Sequence, residues 1–156
     1  MTVKTGKTMY SIEEKTTLEK AAKIIESKIL THDVFSSPED VTRYCEFNLL
    51  HYEHEVFFVL FLNNQHCLIE SVNMFRGTID GASVYPREVA KEALFQNAAA
   101  VIFAHNHPSG NPEPSRADIS LTKQLLEALN LLDIRVLDHI VVGSQGSISF
   151  AQRGLL

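Results

Sequence analysis

The sequence predicts an α/β fold in which a β-sheet is covered by helices. Two observations carry this. The runs Val56–Leu62 and Ala98–Ala104 are each seven apolar residues long, far short of the ~20 a membrane span needs, and they suit buried strands. From residue 86 onward, helical and extended patterns alternate, as they do where helices cover a sheet. The length of 156 residues fits one domain. Such a domain buries roughly 70% of its unfolded surface and needs neither a disulfide nor a metal merely to fold.

The elements follow in order. The first ten residues read as a tail. Ser11-Ile12-Glu13-Glu14 is a capping box, in which Ser and Glu satisfy each other's free amides. Leu18, Ala21, Ala22, Ile25 and Ile29 follow at helical spacing, so residues 12–30 form an amphipathic helix. After a break at Thr31–Phe35, Ser37-Pro38-Glu39-Asp40 opens a second helix to about Leu50. Serine is at its N-cap and proline in its first turn, where a missing N–H costs nothing. Val56–Leu62 is a strand, Asn63-Asn64-Gln65 a turn, and His66–Phe75 the antiparallel partner. Arg76–Tyr85 is a glycine-containing loop. Pro86-Arg87-Glu88 opens a helix to about Asn97, with Val89, Ala93 and Leu94 facing inward. Ala98–Ala104 is a buried strand, and the proline-rich stretch His105–Pro114 is irregular. Ser115 starts a helix to about Leu131, with Ala117, Leu121, Leu125, Ala128 and Leu132 on one face. Arg135–Val142 is a strand and Ser147–Phe150 a last short one.

Net charge is −5, and hydrophobic and charged residues make up 45% and 21% of the chain, ordinary for a globular domain. The acidic balance counts against a nucleic-acid coating protein, which carries a basic face. Cys45 and Cys67 belong to no CxxC unit, and two cysteines are no disulfide framework, so a reducing cytoplasm is the expected location. The polar N-terminus carries no signal-peptide pattern, and no membrane association is expected.

The chemistry concentrates between residues 105 and 118. His105 and His107 stand at the end of a strand, where residues i and i+2 point to the same side, so both imidazoles face one point. Asp118 lies in the first turn of the helix that Ser115 caps, and the proline-stiffened loop can carry that turn back over the strand end. Two neutral imidazoles and one carboxylate suit zinc, with an open fourth position for water. Alone, the Ser115–Asp118 pair is also an ordinary helix cap and the histidines ordinary loop residues. The joint pattern HxHP, ten residues, SxxD, preceded by a buried strand, is far more specific than its parts.

That pattern resembles the metal-binding signature of the JAMM (MPN+) metalloproteases. The wider set Val84-Tyr85-Pro86-Arg87-Glu88, Ala104–Gly110, Pro112-Glu113-Pro114-Ser115 and Leu137–Gly143 is similar to the bacterial RadC family over residues 35–156. The resemblance implies a mixed sheet flanked by helices in a three-layer αβα sandwich, the JAB/MPN, cytidine-deaminase-like fold. It also implies residues 1–34 as a tail and helical extension, and 35–156 as the JAB/MPN+ domain. Longer RadC proteins carry a helix-hairpin-helix-like region before this domain, and the chain resembles the short single-domain form. The implied ligands of a zinc ion are His105, His107 and Asp118. A glutamate base acts from the start of a core strand. Glu55 matches that place and is favoured over Glu53, Glu70 and Glu88. Ser115, in the family's serine position, is the expected donor to a developing oxyanion. Asn106 should point away from the metal. For His139, a buried structural role ranks ahead of contact with the site, and Arg87 and Glu88 read as a helix cap and surface pair.

The implied function is a zinc-dependent peptidase or isopeptidase-like hydrolase acting on a protein or peptide substrate. Alternatives are a DNA-repair-associated factor, as the family name suggests, and a metal-binding scaffold without activity. A zinc deaminase would need a PCxxC segment that the sequence lacks. A homodimer is compatible with the sequence.

Overall fold

The computed structural model describes residues 10–31, 37–77 and 84–156. The expected tail before residue 10, the break within 32–36 and the centre of the 76–85 loop lie outside the described residues. The order of elements is α1 (Ile12–Thr31), α2 (Pro38–Leu49), β1 (Val56–Leu62), β2 (Leu68–Arg76), α3 (Pro86–Phe95), β3 (Ala100–Asn106), α4 (Arg116–Asn130), β4 (Arg135–Gly143), β5 (Gly146–Ser149) and α5 (Phe150–Arg153). One mixed sheet runs β2-β1-β3-β4-β5. Among the described residues, β3 and β4 pair in parallel and the other neighbouring strands antiparallel.

The seven residues of β1 and the seven of β3 are all buried, because helices cover both sides of the sheet. Alternation along the strands then sorts the side chains. Phe58, Leu60, Leu62, Ile102 and Ala104 pack against Val41, Tyr44, Cys45 and Leu49 of α2. Phe57, Val59, Phe61, Val101 and Phe103 pack against Val89 and Ala93 of α3 and Leu125 and Leu129 of α4. The result is a three-layer αβα sandwich. Helix α1 begins with the expected capping box: Ser11 N donates to Glu14 at 2.6 Å, and Glu14 N to Ser11 Oγ at 3.2 Å. It lies on α2 and reaches β2, with Ala22 buried and Ile25 packed against the first core.

Several expectations change. Strand β3 runs through His105 and Asn106, because β1 and β4 offer backbone partners on both sides: His105 lies opposite Phe57 and Val141, and Asn106 opposite Val142. Irregular chain starts only at His107. Ala98 and Ala99 instead belong to the turn that Asn97 makes at φ 53°. His66, at φ 62°, likewise sits in the turn before β2. Leu94 is 58% exposed rather than inward. Five residues beyond Val89 at about 100° each carries it well away from the inner face. Leu132 lies beyond the end of α4 and is 42% exposed, while Ile134 takes the buried place after Asp133 turns the chain at φ 56°. The last strand stops at Ser149. Phe150 opens a helical turn whose amides are met by Ser149 Oγ and the Asp138 carboxylate.

Candidate metal centre

Three side chains converge where the C-terminal end of β3 meets the N-terminus of α4. The strand sets the first. His105 is completely buried, with its backbone in ladders to β1 and β4. His107 lies one residue past the strand, but its N–H still donates to Val142 O at 2.8 Å, which keeps its side chain on the same side. The loop that follows rests on the β4–β5 turn. Gly110 O accepts from Gln145 N at 3.0 Å, and a Cβ at Gly143 would stand 2.3 Å from that same oxygen. Gly110 itself has φ +92°, a conformation L side chains rarely adopt. Gly143 therefore answers to close backbone approach and Gly110 to its left-handed conformation. The loop delivers α4, whose first turn is a capping box: Ser115 N donates to Asp118 Oδ2 at 2.7 Å, and Asp118 N to Ser115 Oγ at 3.0 Å.

Asp118 is thus both a helix cap and a member of the cluster, and it is 1% exposed. His105 Nε2 lies 3.3 Å from Asp118 Oδ1, His107 Nε2 lies 3.2 Å from Asp118 Oδ2, and the two Nε2 atoms are 3.0 Å apart. These separations are close to the edge, about 3.3 Å, of a tetrahedron with metal–ligand bonds of 2.0–2.1 Å. The outer nitrogen of His107 faces the Asn111 carbonyl at 2.9 Å. A carbonyl only accepts, so Nδ1 carries the proton, and the neutral ring turns a lone pair inward. Imidazole lone pairs and a carboxylate pointed at one place call for a cation. Although burial opposes its ionisation, the neighbouring His105 and His107 and the Ser115 amide hold the Asp118 carboxyl far below the usual carboxylate range. The hydrogen bond to Asp118 raises the pKa of His107 against the effect of burial, with smaller support from the Asn111 carbonyl and the charges of Asp118 and Glu55. Among the described residues, this is the one group of three or more His, Cys, Asp or Glu side chains placed to hold a metal ion.

Around this cluster, Glu55 stands just before β1. The β1–β3 register, continued past Val56, sets it opposite His107. Its carbonyl accepts from Gly77 N at 2.9 Å, and its charge reaches His107. The competing glutamates lie elsewhere: Glu53 beside Lys15 at 3.9 Å, Glu70 on β2, and Glu88 between Arg87 and Lys91 on α3. Ser115 spends an oxygen lone pair on the Asp118 amide, and its hydroxyl proton is not used in that bond. Asn106 turns to the opposite face of the sheet. His139 is fully buried, as expected of a structural histidine, yet its Nε2 lies 2.8 Å from His105 Nδ1. Contact with the cluster, ranked second from the sequence, is therefore real. Two further participants went unnoticed in the sequence. One is Thr122, whose hydroxyl lies 2.6 Å from His139 Nδ1. The other is the Asn111 carbonyl. Thr122 left a signal, being a polar residue four places after Asp118 on the stripe that continues to Leu125 and Leu129. A backbone carbonyl leaves none.

The model of the RadC-like JAB domain matches residues 35–155. The chain belongs to this RadC-like family. A relative named only UPF0758 protein, from Vibrio cholerae serotype O1, is 61% identical over 139 residues, 89% of this chain and 87% of its own length. UPF0758 proteins of Marinobacter nauticus and Cellvibrio japonicus are 56% and 58% identical over the same share of this chain. The chain spans 62% of the length of these two relatives. The JAB family includes metalloproteases, and the RadC-like domain described here brings together three side chains able to bind a metal. No helix among the described residues is long and apolar enough to cross a membrane.

Proposed function

We propose that the protein is a zinc-dependent, metallopeptidase-like hydrolase that cleaves an amide or isopeptide bond in a protein or peptide substrate. The observation that carries this reading is the convergence of His105 Nε2, His107 Nε2 and the Asp118 carboxylate within 3.0–3.3 Å of one another. Two imidazoles and one carboxylate are the ligand set of several zinc peptidases, and three protein ligands leave a coordination position open. Zinc bound there supplies Lewis-acid chemistry, polarising a carbonyl and acidifying water.

The remaining work falls to the chain. Glu55, opposite His107, takes a proton from the attacking water and delivers it to the departing amine, the two halves of general base and general acid catalysis. Ser115 directs its unused hydroxyl proton at the oxyanion that develops on the scissile carbonyl. The capping box holds Ser115 and Asp118 in fixed relation, so the oxyanion donor and the metal ligand move together.

Zinc content and turnover test the reading. Protein purified without chelator should carry about one zinc per chain by elemental analysis. New N-termini should appear when it is incubated with a peptide library. Glu55→Gln should keep the zinc and lose the cleavage. Purified protein without zinc would overturn the metal assignment, and full activity in Glu55→Gln would overturn the assignment of the base.

A further inference from the structure

The outer nitrogen of His105 does not end on a carbonyl, as that of His107 does. It enters a chain of three side-chain and backbone contacts that returns to α4. His105 Nδ1 lies 2.8 Å from His139 Nε2, His139 Nδ1 lies 2.6 Å from Thr122 Oγ1, and Thr122 Oγ1 donates to the Asp118 carbonyl at 2.7 Å. The direction of every proton follows from the last contact. A backbone carbonyl can only accept, so the single hydroxyl proton of Thr122 is committed to it. Thr122 Oγ1 is then an acceptor, and His139 Nδ1 must be the donor. His139 is enclosed by the stacked ring of Phe150 at 4.7 Å and the ring edges of Phe57 and Phe103 at 5.7 and 5.8 Å, with no solvent exposure. Enclosure by apolar rings away from solvent disfavours a charged imidazole, so the His139 ring is neutral. A neutral ring with a proton on Nδ1 has a lone pair on Nε2, so the proton between the two histidines belongs to His105 Nδ1.

We infer that Thr122 and His139 are positioning residues that hold His105 in its Nδ1–H tautomer and so keep its Nε2 lone pair turned toward His107 and Asp118. The wrong tautomer would place an N–H at the centre, where no metal could be bound. Asp138 secures the same arrangement from behind. Its carboxylate accepts from Ser149 Oγ at 2.5 Å, Ala151 N at 2.9 Å and His139 N at 2.7 Å, which anchors the corner that stacks Phe150 on the His139 ring. The chain of contacts also ties the first turn of α4, with Asp118 in it, to β4. The consequence for zinc affinity rests on the function proposed above, whereas the tautomer does not.

Two substitutions at Thr122 separate this role from packing. Thr122→Val keeps the volume and removes the hydroxyl, freeing His139 to adopt the opposite tautomer. Thr122→Ser keeps the hydroxyl and removes a methyl group. Zinc affinity, measured by competition with a chromogenic chelator, should fall about 10- to 100-fold in Thr122→Val, the usual cost of losing an outer hydrogen-bond partner of a ligand. It should stay near wild type in Thr122→Ser. A packing role predicts the reverse order. Independently, histidine ¹⁵N shifts of the metal-free wild type in alkaline buffer should show His105 protonated on Nδ1. A wild-type His105 protonated on Nε2, or a Thr122→Val variant that binds zinc like wild type, overturns the inference. A wild type that binds no zinc while its His105 carries the Nδ1 proton overturns the zinc reading and leaves the tautomer assignment standing.

Discussion

Asn106 and His105 are neighbours on β3, and both are buried polar residues in a strand otherwise made of apolar ones. They face opposite sides of the sheet and end their hydrogen bonds differently. On the α2 side, the Asn106 amide closes on the backbone. Its oxygen accepts from Val56 N at 2.8 Å, and its nitrogen donates to His54 O at 2.9 Å and Tyr52 O at 3.4 Å. On the α4 side, His105 closes only its outer nitrogen and leaves the inner one against other acceptors. Asn106 is a fastener, which pins the entrance of β1 and with it Glu55. His105 belongs to a set that remains electrostatically incomplete without a cation. Satisfaction within the protein separates a buried polar residue that serves the fold from one that serves chemistry.

Removing one member of each kind should break the molecule in different ways. His107→Ala should have the largest effect on binding, reducing zinc from about one per chain to none by elemental analysis. Its thermal unfolding without zinc should stay cooperative, because no apolar core is touched. Zinc at 100 times its dissociation constant stabilises a folded protein by about 2.7 kcal/mol, a gain that wild type should show in melting experiments and His107→Ala should lack. Asn106→Ala should do the opposite. It strands the buried Val56 amide, at about 1–3 kcal/mol, and releases the only partly buried His54 carbonyl. Urea unfolding of the zinc-free variant should register a loss of about 1–3 kcal/mol, while added zinc is still bound by the folded variant. If Asn106→Ala kept its stability but lost its zinc, the division between the two faces would be wrong.

The division also marks how far the sequence could be read. Apolar runs and periodic apolar faces placed β1, β3, β4 and α4, since these report burial, while the Ser37-Pro38 cap placed α2. The spacing of His105, His107 and Asp118 announced a cluster because a strand and a helix N-terminus have fixed periods. What stayed hidden depends on pairing across the fold. Strand β3 extends to Asn106 because β1 and β4 offer partners there, and residues 105–114 alone look irregular. The exposure of Leu94 depends on which helical face α3 turns to the sheet. The contact of His139 with His105 needs the parallel β3–β4 register, in which His139 lies opposite Phe103, two residues before His105. Its local sequence, Asp138-His139-Ile140, suits a plain buried strand equally well.

The two histidines of the cluster differ in one more respect, and the smallest expected effect tests it. The outer partner of His105 is made of side chains and is open to substitution. The outer partner of His107 is the carbonyl of Asn111, which any residue would supply. The Asn111 side chain acts only locally, accepting from Glu113 N at 3.0 Å in an exposed turn. Asn111→Ala therefore removes one neutral hydrogen bond, worth about 0.5–1.5 kcal/mol at most and less where water can replace it. The carbonyl stays in place, because Gly110 remains seated on Gly143 and Glu113 remains paired with Arg153 at 2.9 Å. Zinc affinity in Asn111→Ala should accordingly fall far less than in Thr122→Val when both are measured by the same chelator competition. A larger loss in Asn111→Ala would mean that the loop, rather than the outer hydrogen bonds, sets the geometry of the centre. His107 would then depend on the turn and not on the atom it touches.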